Sequence, residues 1–363
     1  MTNRRGLILG AAAFGTTPFV GCSSKPTYDD IAAQLRLQRP VDSGDRASLQ
    51  RELVRCATLA PSSHNTQCWR FRLQERAMSI EPDLTRRCPA VDPDDHHLFV
   101  SLGCAAENLA QAALANGLQA TIRLDPEGAG SIKVDLEPTR AIPSVSYQAI
   151  GQRQCTRGDY DGRPVSLQDL RLLAEAAAGP GVQAIFLTQR PDRERVLEHV
   201  VAANTAQMQD PAFVAELKAW IRFSEDEAER SGDGLYAGAS GNLSTPRWLG
   251  SRMMDFVYTP RTENERYTRQ IRNASGIVVF VADQADAAHW VEVGRCYERF
   301  ALRATALEIR NSFVNQPVEV VSLRSSFASS LGLGARRPDL VVRFGRGAAM
   351  PWSLRRPVSA VLI

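Results

Sequence analysis

The chain has no Cys-x-x-Cys pair and no disulfide-framework spacing, no Gly-x-Ser-x-Gly elbow, and no dense basic run with interleaved aromatics. The missing basic run argues against nucleic acid as a partner. Without the elbow, Ser62 or Ser63 beside His64 makes a poor hydrolase, because His64 is too near in sequence to serve easily as base. The segments "GLGARR" and "GRGAAM" lack the strand, glycine and helix order of a dinucleotide fingerprint, which speaks against a Rossmann fold. Histidine is scarce, with five in all, and the adjacent His96 and His97 point apart in a strand or lie about 100° apart on a helix, a poor chelate. No metal site is expected.

What is present is an ordinary soluble composition, 44% hydrophobic and 23% charged, with a formal net charge of +3. At 363 residues the chain suits one large domain or two fused units of roughly 150 residues each. Residues 1–21 read as an export signal: Arg4 and Arg5, a weakly apolar run, then Phe19-Val20-Gly21-Cys22. The paired arginines resemble a twin-arginine signal and the last four residues a lipobox with Phe19 in the usual Leu place. A Sec signal cleaved elsewhere and a short buried helix are the alternatives. The run before Cys22 is too weakly apolar to span a bilayer comfortably. Lipidation at Cys22 would leave the protein exported, periplasmic or envelope-bound, and anchored to a membrane. The other six cysteines, Cys56, Cys68, Cys88, Cys104, Cys155 and Cys296, read mostly as unpaired.

Residues 22–46 suit a tether and an arm, with one short helix in "YDDIAAQLRLQ". The first half, 47–146, begins with a helix for which Ser48 is the expected N-cap, followed by the strand "CWRFRL", a long buried helix from Leu98, and a hairpin of "ATIRL" with "SIKVDLEP". The second half, 147–363, repeats the order. "SLQDLRLLAEAAA" parallels "SLQRELVRCATLA", and the helix after Val291 parallels that after Val100, with Gly294 and Gly103 offset by 294 − 103 = 191. The strands "VQAIFL", "GIVVFVA" and "DLVVRFGRG" complete it. Two diverged tandem copies of one α+β unit follow from this; chance alignment of Ala- and Leu-rich helices is the alternative. Residues 189–251, helical with a glycine-rich end, have the composition of a lid inserted into the second copy.

Two segments carry the chemistry. In "APSSHNTQCWRF", Ser62, Ser63, Asn65 and Gln67 offer donors and acceptors without charge, which suits a uracil-like ring edge or a sugar-like chain; a capped turn is the bland alternative. In "RQCTRGDY", Arg153 and Arg157 on one side of a helical turn would reach a phosphate, unless they pair with Asp159 or Asp161. Arg355-Arg356-Pro357 after the last strand is a third candidate, or a solvated tail.

Together these pieces resemble the nitroreductase family, and more closely its fused, Acg-type FMN-binding branch, through "HNTQ-x-WRF", "VDPDD", "SLGCAAENL" and the terminal "RFGRG…RRPV". The resemblance spans residues 48–363. It implies a nitroreductase-like α+β fold in which the two copies form an intramolecular pseudo-dimer, a monomer with FMN at the interface. It also implies that Arg153, Gln154, Cys155, Arg157 and Arg355 hold the phosphate or ring edge, while Ser62, Ser63, Asn65 and Gln67 line the flavin. Cys68, Cys155 and Ser353 stand where Pro, Ser and Lys are usual, implying a weaker phosphate grip. The second copy has no polar loop and the first no counterpart of residues 153–157, so one FMN per chain is expected. The implied activity is electron transfer from a small-molecule donor to a nitroaromatic, quinone or similar acceptor through the flavin, with no catalytic side chain. The rival is a lid-covered, flavin-sequestering protein with little NAD(P)H turnover; a flavin-destroying relative that uses dioxygen is a third possibility.

Overall fold

The computed structural model describes residues 26–39, 45–125 and 129–363. The stretch read as an export signal and Cys22 lie outside the described residues. The arm carries helix α1 (Tyr28–Arg36), whose capping box between Thr27 and Asp30 satisfies its first amides. The first module then runs α2 (Arg46–Thr58), β1 (Trp69–Leu73), β2 (Ala77–Pro82), α3 (His96–Ala115), β3 (Leu118–Leu124) and β4 (Ile132–Pro138). Helix α2 starts earlier than Ser48 suggests, because Asp45 is the cap: its side chain accepts from Ser48 N.

After α4 (Val145–Ala149), the second module runs α5 (Leu167–Ala176), β5 (Val182–Leu187), α6 (Arg190–Gln209), α7 (Pro211–Trp220), β6 (Ile221–Arg222), α8 (Glu225–Ser231), β7 (Leu235–Tyr236), α9 (Arg247–Val257), α10 (Pro260–Arg272), β8 (Gly276–Ala282), α11 (Ala287–Ala306), β9 (Arg310–Phe313), α12 (Gln316–Glu319), α13 (Arg324–Ser330) and β10 (Pro338–Gly345). Ser166 caps α5 as its sequence suggests, accepting from Asp169 N.

Each module holds a four-stranded antiparallel sheet, ordered β1-β2-β4-β3 in the first and β5-β8-β10-β9 in the second. In both, the long helix joins the second strand to the third, so the two sheets share one connectivity. Central β8, all aliphatic or aromatic between Gly276 and Ala282, is buried along its whole length. Edge strand β3 alternates half-buried and exposed residues instead. The α+β expectation and the two similar modules are therefore met. Residues 188–275, joining β5 to β8, hold the insertion.

The modules meet through α3 and α11, which cross at their two glycines. A Cβ on Gly103 would stand 2.0 Å from Val291 O, and one on Gly294 would stand 2.0 Å from Val100 O. These reciprocal contacts are related by the same offset of 191 that the sequence contains. Cys104 Sγ donates to Gly294 O at 3.2 Å across the crossing. One continuous apolar core gathers α2, α3, α11 and both sheets. All six described cysteines are free, and all but Cys155 are buried.

Candidate functional site

Helix α2 ends at Thr58, leaving carbonyls without helical partners. Two buried guanidiniums take them: Arg355 Nε donates to Thr58 O at 2.6 Å and its Nη2 to Leu59 O and Ala60 O at 3.1 and 3.0 Å, while Arg153 Nη2 donates to Leu59 O at 2.8 Å. A third guanidinium comes from α1: Arg36 donates to the carbonyls of Gly151, Arg153 and Ser353 at 3.2–3.4 Å. Arg36, Arg153, Arg157 and Arg355 line one small cleft with Ser62 and Asn65. The nearby carboxylate is Glu298 on α11, whose Oε1 lies 3.1 Å from Arg153 Nε.

The charges do not balance. Burial pushes the Glu298 carboxyl up to about 7, with Arg153 opposing that rise. Burial works against the charge on Arg153, but Glu298 and Cys155 outweigh it and hold Arg153 protonated. Burial and then Arg153 bring Arg355 down to about 9; burial, Arg355 and Arg153 also depress Arg36. Of the four positive charges, Glu298 offsets at most one and the α2 carboxyl end about half of another. A surplus of roughly two and a half remains, and an isolated buried ion costs several kcal/mol. A phosphate monoester, at about −1.5 to −2, would offset most of it.

Pro61, Ser62 and Arg157 line both the cleft and a larger cavity of about 240 Å³ beside it. Its floor includes Ser63, Cys104 and Phe313, and its roof is the insertion: Phe213 of α7, Leu235 of β7, Tyr258, and Tyr267 of α10. The loop between is strained, with His64, Asn65 and Gln67 all at positive φ (48°, 53° and 54°). Each such residue costs on the order of 1–3 kcal/mol. His64, its pKa brought down to about 4 by burial and by Arg157, presents a neutral ring. His64 Nε2, Gln316 Oε1 and Asn65 Oδ1 are buried without hydrogen-bond partners, the first two in residues of the larger cavity and the third in a residue of the cleft. Those are the atoms available to a polar ring edge.

The expected residues divide. Ser62 lines both cavities, Ser63 the larger, and Arg153, Gln154, Cys155, Arg157 and Arg355 the cleft. Gln67 lines neither: its amide nitrogen donates to Gly232 O at 2.8 Å and its oxygen accepts from Arg356 N at 2.9 Å, so it pins the loop. Asn65 pins it too, through Gly234 O and Leu354 O at 3.0 and 3.2 Å. Gln154 is occupied with both backbone groups of Met350. Residues 153–157 are not helical. A parallel bridge from Cys155 to Asn311 keeps them extended beside β9, and the two arginines still converge on the cleft. Asp159 pairs with Arg269 and Asp161 with Arg163, leaving Arg157 to the cavities. Arg36 and Glu298 escaped the sequence reading. The repeat itself marks Glu298, which stands 191 residues after Glu107.

The matching location after α5 is built alike and packed tightly at Gly179. Arg299 donates to Ala176 O and Ala178 O after α5, much as Arg153 and Arg355 serve α2. There, however, two arginines, Arg295 and Arg299, meet two carboxylates, Glu107 and Glu292, and the charges cancel. A Cβ on Gly179 would touch Cys296 Sγ at 2.4 Å. The acid-histidine cluster of Asp92, His96 and His97 is likewise engaged: Asp92 accepts the amides of His97 and Leu98, and His96 Nε2 lies 2.9 Å from Asp339 Oδ1.

No family model matches the chain. It is 24% identical over 330 residues, 87% of this chain and 91% of theirs, to two Mycobacterium tuberculosis proteins that carry the provisional name NAD(P)H nitroreductase. Among solved structures it is similar to a provisionally named nitroreductase from Anabaena variabilis (9% identity, 88% of this chain and 92% of that one, TM-score 0.47). A nitroreductase with bound FMN from Desulfitobacterium hafniense is similar over 59% of this chain and 96% of its own, at 18% identity and TM-score 0.39.

Proposed function

We propose that the chain is an FMN-dependent oxidoreductase of nitroreductase type, holding one FMN with its phosphate in the arginine cleft and its ring in the roofed cavity. The observation that carries this reading is the charge surplus of Arg36, Arg153, Arg157 and Arg355 over Glu298, beside a larger cavity with orphaned neutral polar atoms. The two Mycobacterium tuberculosis proteins provisionally named nitroreductases, to which the chain is similar along most of its length, support it. Bound there, FMN would supply two-electron transfer to a nitroaromatic, quinone or similar acceptor. The chain's own residues bind and orient. The guanidiniums hold the dianion, neutral His64 and Gln316 offer hydrogen-bonding atoms to the ring edge, and the roof from α7 to α10 covers one side of the ring cavity. Residues 62–65 come from the first module and residues 153–157 and 355 from the second half, so the site is composite. This agrees with a fused pseudo-dimer of units 47–146 and 147–363. The signal-like residues 4–22 support export and anchoring through Cys22.

The roof also favours a second reading, a flavin-sequestering protein whose insertion bars nicotinamide from the ring. Stopped-flow mixing of the FMN-loaded protein with NADPH separates the two. Rapid loss of the flavin absorbance band is expected for the reductase; bleaching by dithionite alone would leave sequestration standing.

A further inference from the structure

We propose that Arg36, on the N-terminal helix α1, is a direct ligand of the anion in the arginine cleft, so that the arm is part of the site and its docking is coupled to anion binding. This rests on the reading of the cleft as a phosphate site.

Helix α1 has nine residues, too few to be stable alone despite its capping box. It owes its order to what it packs against. Tyr28 donates its hydroxyl to Trp352 O at 2.7 Å and stacks on Tyr236 of the insertion with ring centroids 4.5 Å apart. Ala32 joins Ala228, Ala239 and Leu354 in one small apolar cluster. The helix thus straps the roof to the tail segment that carries Arg355. Its carboxyl end is held closely: Arg55 donates to Leu35 O at 2.8 Å, and a Cβ on Gly151 would stand 2.6 Å from Arg36 O.

At that end Arg36 is 7% exposed and lies in the cleft wall. Its three acceptors are all neutral carbonyls at 3.2–3.4 Å, and among the described residues no carboxylate pairs with it. It also stands over the Trp352 ring, 5.3 Å from the centroid. Two of those carbonyls, of Arg153 and Ser353, belong to residues that line the cleft, as Arg36, Arg153 and Arg355 all do. A cation so buried and uncompensated opposes its own docking until an anion arrives. Anion binding should then tighten the arm, and the arm should raise affinity for the anion by the same factor.

The experiment compares FMN with riboflavin, which lacks the phosphate, by flavin fluorescence quenching on the full chain and on Arg36→Gln. Gln is neutral and retains a donor for the carbonyls. We expect Arg36→Gln to lower the preference for FMN over riboflavin about tenfold, the scale of one charge-assisted hydrogen bond, with riboflavin affinity within about twofold of wild type. An unchanged preference, or an equal loss for both flavins, would make Arg36 a prop and overturn the proposal. Absence of any FMN preference in the wild-type protein would overturn the phosphate reading along with it. Trypsin cleavage after Arg36 of the wild-type chain, at the Arg36–Leu37 bond, gives a second readout that needs no variant. It should slow at least several-fold with FMN and with inorganic phosphate but not with riboflavin; equal rates in all three would refute the coupling.

Discussion

Arg355 combines two demands that pull its charge in opposite directions. Its carbonyl partners at the end of α2 and its burial make it a helix clasp, while burial and Arg153 bring its pKa down to about 9. A base whose folded pKa is depressed contributes stability that is present above its unfolded value and is lost as pH falls through the folded one. Below about 9, then, the empty cleft carries the cost of the charged form, and a bound dianion relieves it. Affinity for FMN should consequently be flat from pH 7 to about 8.5 and fall as pH rises through about 9, since the free protein loses a proton that the complex keeps. Riboflavin, with no phosphate, should show no such inflection. Titrating both by fluorescence quenching between pH 7 and 10 tests this, and parallel curves would remove Arg355 from the anion site. Ser353 gives its backbone carbonyl to Arg36 and Arg355. Arg36 adds a cation to the same wall.

The helix crossing at Gly103 and Gly294 is where the two modules are least tolerant of change. Gly103→Ala would drive a methyl into the backbone of Val291, and Gly294→Ala would do the same at Val100, at 2.0 Å in each case. Overpacking usually costs about 1–3 kcal/mol. Here the obstacle is backbone inside the shared core, so each variant should lose at least about 3 kcal/mol in urea unfolding, and the two losses should agree to within roughly 1 kcal/mol. A loss in one alone would mean that the crossing is not equivalent from its two sides. This element was legible because glycine and the apolar positions after it recur at one offset, and only close helix contact needs glycine inside a helix. Strands β2, "AMSIEP", and β9, "RNSF", were not, since neither has an alternating run and each is a strand through its pairing with β1, β4 or β10. The Arg153 and Arg157 spacing of four reads as a helix turn, yet the bridge from Cys155 to Asn311 decides otherwise. Arg36 was invisible for a similar reason: its burial depends on contacts with residues 151–153 and 353, far along the chain.

Across the whole molecule, two equivalent places exist where a loop after α2 or α5 meets the opposite module, and they differ in charge. In one, four arginines face Glu298; in the other, Arg295 and Arg299 are cancelled by Glu107 and Glu292. The pair Glu298 and Glu107 shows how two similar modules differ at matched positions. Each glutamate holds an arginine near a helix carboxyl end, but only at the first are further arginines left over. The second place also lacks room, with Gly179 packed against Cys296, Glu292 and Arg299. A dianion there would meet neutral surroundings and have to displace Glu292 or Glu107 from its arginine, at a cost of several kcal/mol for a partly buried pair. One FMN per chain should therefore be measured by absorbance of the released flavin against protein concentration, with native mass spectrometry giving a chain plus a single FMN. Glu292→Gln would lift one of the two opposing charges without opening the packing around Gly179, so its stoichiometry should stay at one. Two FMN per wild-type chain would overturn the asymmetry, and two in Glu292→Gln alone would assign it to charge rather than to space.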